Sequence, residues 1–206
     1  MKEKVKSYFA VTSPGYRFFV LGLMPLVFVG VYAVFSEKVR VLMLFIPFAE
    51  IVTDSFFLGG IQEKDAEGLD YLRSSSRGMG VLRGTLIVDV IRRFFTIALV
   101  LGLCCVMKWF RLGEVGVMDD FIFPLLLCYS LSVFGILITR FRMYHWVNLV
   151  VGYGASMISI MFLYLVTRDG FGVLRGSAVF AVLSVLFSVV AVKLAMKRVE
   201  GGYYDK

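Results

Sequence analysis

Long apolar runs alternate with short polar segments along almost the whole chain. Each run approaches the roughly 20 residues that an α-helix needs to cross the hydrocarbon core of a bilayer. Lipid cannot hydrogen-bond free backbone groups, so such runs predict helices, and the alternation typical of a membrane β-barrel is missing. We therefore expect an all-α, polytopic membrane protein. Its six spans are predicted at about residues 18–35, 41–61, 85–107, 121–138, 146–166 and 176–196.

The composition agrees with this pattern. Of the 206 residues, 59% are hydrophobic and 18% are charged, and the mean hydropathy is +0.84, which lies well outside the range of soluble domains. Residues 1–206 are predicted to form a single transmembrane domain, in which residues 1–17 are a basic N-terminal arm. Ser13, Pro14 and Gly15 are expected to form a turn before the membrane. Pro25 is expected to bend the first span.

The formal net charge is +7, from 22 basic and 15 acidic residues. With six spans, sixteen of the basic residues fall on the side of the two termini and six on the other side. Basic residues retain their loops in the cytoplasm, so both termini are predicted to be cytoplasmic. Loop retention therefore explains the positive charge better than nucleic-acid binding does, because no basic patch with interleaved aromatic residues lies outside the apolar runs.

A polar island at residues 62–84 separates the second and third spans, on the cytoplasmic side in this topology. Leu69 and Leu72 lie three residues apart among charged residues, which predicts a short amphipathic helix. The segment from Ser74 to Gly80 is expected to form a turn before the chain re-enters the membrane. Such a helix can lie on lipid headgroups or fit a groove on a soluble protein. The alternative is a solvated loop whose basic residues only set the orientation.

Several short motifs of the island follow the spacing of one family of membrane proteins. They are Glu63-Lys64, Gly68, Tyr71-Leu72, Ser76-Arg77 and Val81-Leu82 leading straight into a span. This series resembles the segment between the second and third spans of type-2 ABC-transporter permeases, the six-helix membrane subunits of ATP-driven exporters. The proline that the family has before its Ser-Arg pair is replaced here by Ser74-Ser75.

The resemblance implies a transport subunit in the plasma membrane of a bacterium, and not an enzyme. Substrate would be exported along a path enclosed by two permease copies, or by this chain and a paralogue. A cytoplasmic ATP-binding subunit would dock on the island and hold ATP and magnesium, so that this chain binds no cofactor itself. The residues implied to couple to the ATPase are Glu63, Lys64, Gly68, Leu69, Leu72, Ser76 and Arg77.

Ionisable residues within the second span are candidates for function, because a charge that faces lipid is costly. Glu50 and Asp54 lie four residues apart on one face, and with Thr53 they are predicted to line or gate the pathway. The alternative is structural, with Asp54 paired to Arg92 or Arg93. The sequence offers no partner for Glu50.

Three charged residues are expected in the first turns of the third span. Asp89 and Arg93 are four residues apart with the acid first, the order that favours an intrahelical ion pair. Together with Arg92 they are predicted to form a structural ion-pair set.

The sequence offers little for catalysis or metal binding. His145 lies at a predicted membrane boundary, where an isolated histidine is expected to be interfacial. Cys104, Cys105 and Cys128 lie in apolar runs, without the spacing of a zinc site. Phosphate-cradling and hydrolase motifs are absent from the sequence.

Two other classes of protein are compatible with the sequence. A substrate-binding membrane module, similar to the vitamin-capturing subunits of energy-coupling uptake systems, would dock on its partner through Gly152, Gly154 and Ser156 in the fifth span. A noncatalytic membrane scaffold would have no ATPase partner. The island discriminates between the readings, since a binding module would keep its partner when the island is changed.

Overall fold

The computed structural model describes residues 2–35, 42–53, 72, 74–139, 145–168 and 172–201, and all regular elements in these ranges are helices. The predicted all-α class is confirmed for this part of the chain. In chain order the α-helices are α1 (Lys2–Val11), α2 (Pro14–Phe18), α3 (Met24–Phe35), α4 (Leu42–Thr53), α5 (Ser76–Leu112), α6 (Phe123–Thr139), α7 (His145–Arg168) and α8 (Val173–Gly201).

The turn expected at Ser13 to Gly15 is a helix start. The Ser13 side chain accepts a hydrogen bond from the Tyr16 backbone N–H at 3.2 Å, and Pro14 is the first residue of α2. Both features are typical of a helix N-terminus, where the first N–H groups have no partner within the helix.

Two prolines follow π-helical turns. The turn at Phe19–Leu23 joins α2 to α3 ahead of Pro25, and the turn at Val117–Ile122 leads into α6 ahead of Pro124. Proline has no N–H to bond the carbonyl four residues earlier, and a π-helical turn is one way to accommodate an interrupted ladder. The irregularity expected near Pro25 is therefore a π-helical turn within one continuous helical segment.

α5 is the longest helix, with 37 residues. It begins at Ser76 because the side chain of Ser75 accepts from the Gly78 N–H at 3.0 Å, as an N-cap does. The predicted turn from Ser74 to Gly80 is thus wrong from Ser76 onward. Gly78 does not break the helix, since its missing side chain lets α5 pass the backbone of Leu72, which a Cβ would overlap.

The other end of α5 also differs from the prediction. The helix continues to Leu112 and ends at Gly113, whose φ of 72° is the left-handed conformation of a helix C-cap. The polar loop expected from residue 108 to 120 therefore shrinks to residues 113–116. Asp89 lies thirteen residues after Ser76, about 20 Å along the helix axis. Asp89 therefore lies in the middle of α5, whereas the sequence predicted it in the first turns.

Asp120 organises the junction between α5 and α6. Its carboxylate accepts from the Lys108 ammonium and, at 3.0 Å, from the Gly116 N–H. Its carbonyl, four residues before Pro124, accepts from the Cys105 thiol at 3.4 Å. These bonds hold the short connection against α5.

α4 packs between α6 and α7 through two glycines. A Cβ on Gly135 of α6 would overlap the side chain of Ile51, and a Cβ on Gly152 of α7 would lie 3.1 Å from Phe48. Small residues allow membrane helices to approach closely. Of the two glycines named in the fifth span, Gly152 makes such a close approach, whereas a Cβ on Gly154 would meet nothing within 4 Å.

Within the described residues, four helical segments are long and apolar enough to cross a bilayer, namely Pro14–Val34, Ser76–Leu112, Val117–Ile138 and Val173–Glu200. α7 contributes a shorter apolar stretch, Leu149–Phe162. Large apolar side chains cover the outside of the bundle, with Leu26, Phe95 and Val185 each more than 60% exposed. The chain is a membrane-embedded helical bundle by these criteria.

Candidate functional site

A group of charged side chains lies in the interior, where α2, α4 and α5 meet. We call Tyr16, Glu50, Asp89, Arg92 and Arg93 the buried ionic cluster. Glu50, Asp89 and Arg93 have no exposed surface, and Arg92 is 8% exposed. Its charges come from two carboxylates and two guanidinium groups, so the cluster is neutral as a whole.

Arg92 joins α5 to α4 through a bidentate ion pair. Its Nη1 donates to Glu50 Oε1 at 2.8 Å and its Nη2 to Glu50 Oε2 at 2.7 Å. The planar guanidinium matches a carboxylate in this parallel arrangement, which is among the strongest hydrogen-bonded pairs in proteins. Glu50, for which the sequence offered no partner, is thus bound across 42 positions of the chain.

Asp89 is the shared acceptor of the cluster. Its Oδ1 accepts from the Tyr16 hydroxyl at 3.0 Å and from Arg92 Nε at 3.2 Å. Its Oδ2 accepts from Arg93 Nε at 3.3 Å, which is the intrahelical pair that the spacing suggested. Arg92 also lies beside the Tyr16 ring, 6.0 Å from its centroid.

Arg93 carries the cluster across to α6. Its Nη1 donates to the Ser132 carbonyl at 2.8 Å, and its Nε lies 3.7 Å from Glu50 Oε2. The two arginines therefore point different ways, Arg92 to α4 and Arg93 to α6. One turn of α5 thereby fixes the positions of three neighbouring helices, α2, α4 and α6.

The cluster lies within the thickness of a bilayer if α5 crosses it. Arg93 precedes Lys108 by fifteen residues, about 22 Å along a helix, whereas the hydrocarbon core is about 30 Å thick. With Lys108 at one interface, Arg93 lies inside the core. Charges at that depth must be paired, because each unpaired ion costs several kcal/mol, of order 3 or more.

A second polar contact, which we call the hydroxyl seam, joins α6 to α8. Ser130 Oγ lies 2.8 Å from Ser184 Oγ, and the Tyr129 hydroxyl lies 2.9 Å from Ser188 Oγ. Each pair has one member on either helix. The seam is neutral, and its groups can serve as donors or acceptors.

The structure brings some of the predicted site residues together. Glu50 meets Arg92 and Arg93, and Thr53, which is 5% exposed, donates to the Glu50 carbonyl at 3.0 Å. Asp54, the third predicted pathway residue, lies outside the described residues.

Of the residues predicted to couple to an ATPase, the structure describes those at the C-terminal end of residues 62–84. Glu63, Lys64, Gly68 and Leu69 lie outside the described residues. Leu72 is half-buried and packs on the core, Ser76 is the first residue of α5, and Arg77 is exposed.

Two partners in the cluster were missed by the sequence reasoning. Tyr16 lies in the N-terminal arm, where an aromatic residue before a span looks like an ordinary interfacial residue. Ser132 acts through its backbone carbonyl, which no side-chain pattern reports. The acid at position 50, inside an apolar run, was the available signal that a cationic partner was needed.

Among the described residues, His, Cys, Asp and Glu side chains form no group of three that could hold a metal ion. Cys104, Cys105 and Cys128 are buried thiols. Comparisons with protein-family models, with curated proteins and with solved structures each found no match.

Proposed function

We propose that this chain is the membrane-spanning permease subunit of an ATP-driven exporter of the type-2 ABC class, in the plasma membrane of a bacterium. It crosses the membrane six times, with α4 and α7 as the spans beyond the four long ones, and both termini lie in the cytoplasm. A second permease copy or a paralogue encloses the path with it. A separate ATP-binding chain docks on the polar island at residues 62–84.

The distribution of charge supports this orientation. Arg198 Nη1 donates to the Ile138 carbonyl at 3.3 Å, so the end of α8 lies beside the end of α6. Arg111 Nη2 donates to the Ala33 carbonyl at 2.9 Å at the opposite end. Among the described residues the first end has nine basic positions and the opposite end four, and basic residues favour the cytoplasm. The nine are Lys2, Lys4, Lys6, Arg17, Arg77, Arg83, Lys193, Lys197 and Arg198, and the four are Lys108, Arg111, Arg168 and Arg175.

The observation that carries the proposal is the continuity of α5. Arg77, at the end of the coupling segment, belongs to the same unbroken helix as Asp89. Twelve residues separate them, which is about 18 Å along the axis. A helix of this length acts as a lever, so a force applied at Arg77 reaches the buried ionic cluster.

The hydrogen bonds and ion pairs of the buried ionic cluster resist this movement together, because they cannot be broken one at a time. Arg92 joins α5 to α4, and Arg93 joins α5 to α6. A tilt of α5 has to exchange these partners together, because a buried charge left alone is costly. The cluster therefore gives two discrete arrangements of α4, α5 and α6, as alternating access requires. Glu50 and Thr53 line the path when α4 separates from α5.

The test is co-purification of a soluble ATPase with the tagged chain from its native membrane in mild detergent. Arg77→Glu reverses an exposed charge at the proposed dock, and Lys197→Glu makes the same change at an exposed position of α8 at the same end. We expect the ATPase with the parent and with Lys197→Glu, and its loss with Arg77→Glu.

Other outcomes separate the rival classes. If the parent brings down no ATPase, the proposal is wrong and the scaffold reading is favoured. An ATPase that stays bound to Arg77→Glu places the dock elsewhere and favours the binding module. In that class the fifth span docks through Gly152, Gly154 and Ser156. Gly152 already packs against Phe48 and Val52 of α4, whereas a Cβ on Gly154 would meet nothing within 4 Å.

A further inference from the structure

The N-terminal helix α1 presents two different faces. Tyr8 and Val11 are buried, and Lys4 packs beside Gly84 of α5, with its Cγ 3.4 Å from the position of a Cβ there. Val5 is 36% exposed and Phe9 is 49% exposed, and their spacing of four puts them on one face. α1 is therefore fixed to α5 along one side and leaves an apolar strip open beside it.

Basic groups border this apolar strip. Lys6 is exposed and lies three residues before Phe9, on a neighbouring position of the helix surface. The Arg17 guanidinium lies over the Phe9 ring, 5.1 Å from its centroid. Phe18, next to Arg17, is 71% exposed. An exposed phenyl group with one cationic group over it and another on a neighbouring position is typical of a helix that lies at a membrane interface.

We propose that Lys6, Phe9 and Arg17 bind the headgroup region of an anionic phospholipid. The phosphate lies between the two cationic side chains, and Phe9 and Phe18 enter the upper acyl region. Charge complementarity selects this occupant, since the basic residues Lys4, Lys6 and Arg17 outnumber the one acid in α1, Glu3. The site is independent of the transport proposal, because Lys6, Phe9 and Arg17 lie outside the coupling residues and binding needs no ATPase.

The experiment uses the full chain in vesicles, without any partner protein. Cys104, Cys105 and Cys128 are buried, so a fluorophore attached to Ala10→Cys, an exposed position of α1, labels this site alone. Energy transfer to trace acyl-labelled phosphatidylglycerol, and separately to acyl-labelled phosphatidylcholine, gives the preference for the anionic lipid. Unlabelled phosphatidylglycerol in phosphatidylcholine vesicles serves as the competitor.

The parent is expected to prefer phosphatidylglycerol, and salt is expected to weaken the preference. A basic residue at the surface contributes about fivefold to anionic-lipid binding, so Lys6→Gln with Arg17→Gln should lower the preference about 25-fold. The matched control is Lys193→Gln with Lys197→Gln, two exposed positions of α8, which should leave it unchanged.

Three results would overturn the proposal. They are a parent without preference, a Lys6→Gln with Arg17→Gln variant that keeps the preference, and an equal loss in the α8 control. The first result would favour an acidic protein surface as the partner of Lys6, Phe9 and Arg17. The third would show that the preference comes from the net charge of this end of the bundle.

Discussion

The buried ionic cluster and the hydroxyl seam both join helices of the described bundle through polar groups, and the chemistry of the two differs. The buried ionic cluster joins α4 to α5 through charges that cancel one another, and it bonds α5 to the Tyr16 hydroxyl of α2 and to the Ser132 carbonyl of α6. The hydroxyl seam joins α6 to α8 through neutral serine and tyrosine groups. Both cross between helices, but they differ in what remains when one member is removed.

In the seam each serine has a second partner on its own helix. The hydroxyls of Ser130, Ser184 and Ser188 each lie 2.6 Å from the carbonyl four residues before them. A serine hydroxyl that loses its partner across the seam can therefore donate its proton to a carbonyl of its own helix. Removing Arg92 from the cluster, in contrast, leaves the buried Glu50 carboxylate without its bidentate partner. A seam of this kind tolerates substitution, whereas the cluster depends on all its members.

The largest effect is expected for Arg92→Gln. It leaves two carboxylates with one guanidinium in the interior, so we expect a loss of about 3–5 kcal/mol in the free energy of unfolding. Detergent-induced unfolding, followed by circular dichroism, measures it. Arg83→Gln, an exposed position of the same helix, should change stability by less than about 0.5 kcal/mol.

A double-mutant cycle sharpens this prediction. Glu50→Gln combined with Arg92→Gln leaves Asp89 and Arg93 as a neutral pair, so the double variant should recover about 1–3 kcal/mol relative to the sum of the single changes. Additive losses would contradict the pairing, and would show that Glu50 does not depend on Arg92 for its place in the bundle.

An intermediate effect is expected for Tyr16→Phe. The ring beside Arg92 stays, but Asp89 Oδ1 loses the hydroxyl donor at 3.0 Å. A hydrogen bond to a charged group between membrane helices predicts a loss of about 1.5 kcal/mol. The same unfolding titration measures it. Tyr153→Phe, at an exposed position of α7, removes a hydroxyl outside the cluster and should have no measurable effect.

The comparison also separates what the sequence predicts from what it does not. Hydropathy predicts the helical class because lipid imposes it on every span, and a spacing of four suggests the pair of Asp89 and Arg93 because both lie on one helix. Glu50 and Arg92 are 42 positions apart. Their contact is made by tertiary packing, which a local spacing of residues does not predict.

The start of α5 was misjudged for a different reason. Gly78 and Gly80 resemble the glycines of a turn, because their low helix propensity is the local signal. Gly78, however, is required by the close passage of Leu72, and the Ser75 cap starts the helix before it. A glycine can be needed for the backbone freedom of a turn or for close packing between segments. The sequence does not distinguish these two reasons, and the packed structure does.

The smallest effect is expected in the hydroxyl seam, for Ser184→Ala. Ser130 loses the Ser184 hydroxyl at 2.8 Å but keeps two carbonyl acceptors, Leu126 on its own helix and Phe180 on α8. Interhelical hydrogen bonds in membranes contribute about 0.6 kcal/mol on average, and that is the expected loss in the unfolding titration. Ser7→Ala, an exposed serine that bonds its own helix, is the control without a partner across helices. A loss as large as that of Arg92→Gln would contradict the distinction between the two regions, because it would show that a neutral seam with local partners depends on every member as the charged cluster does.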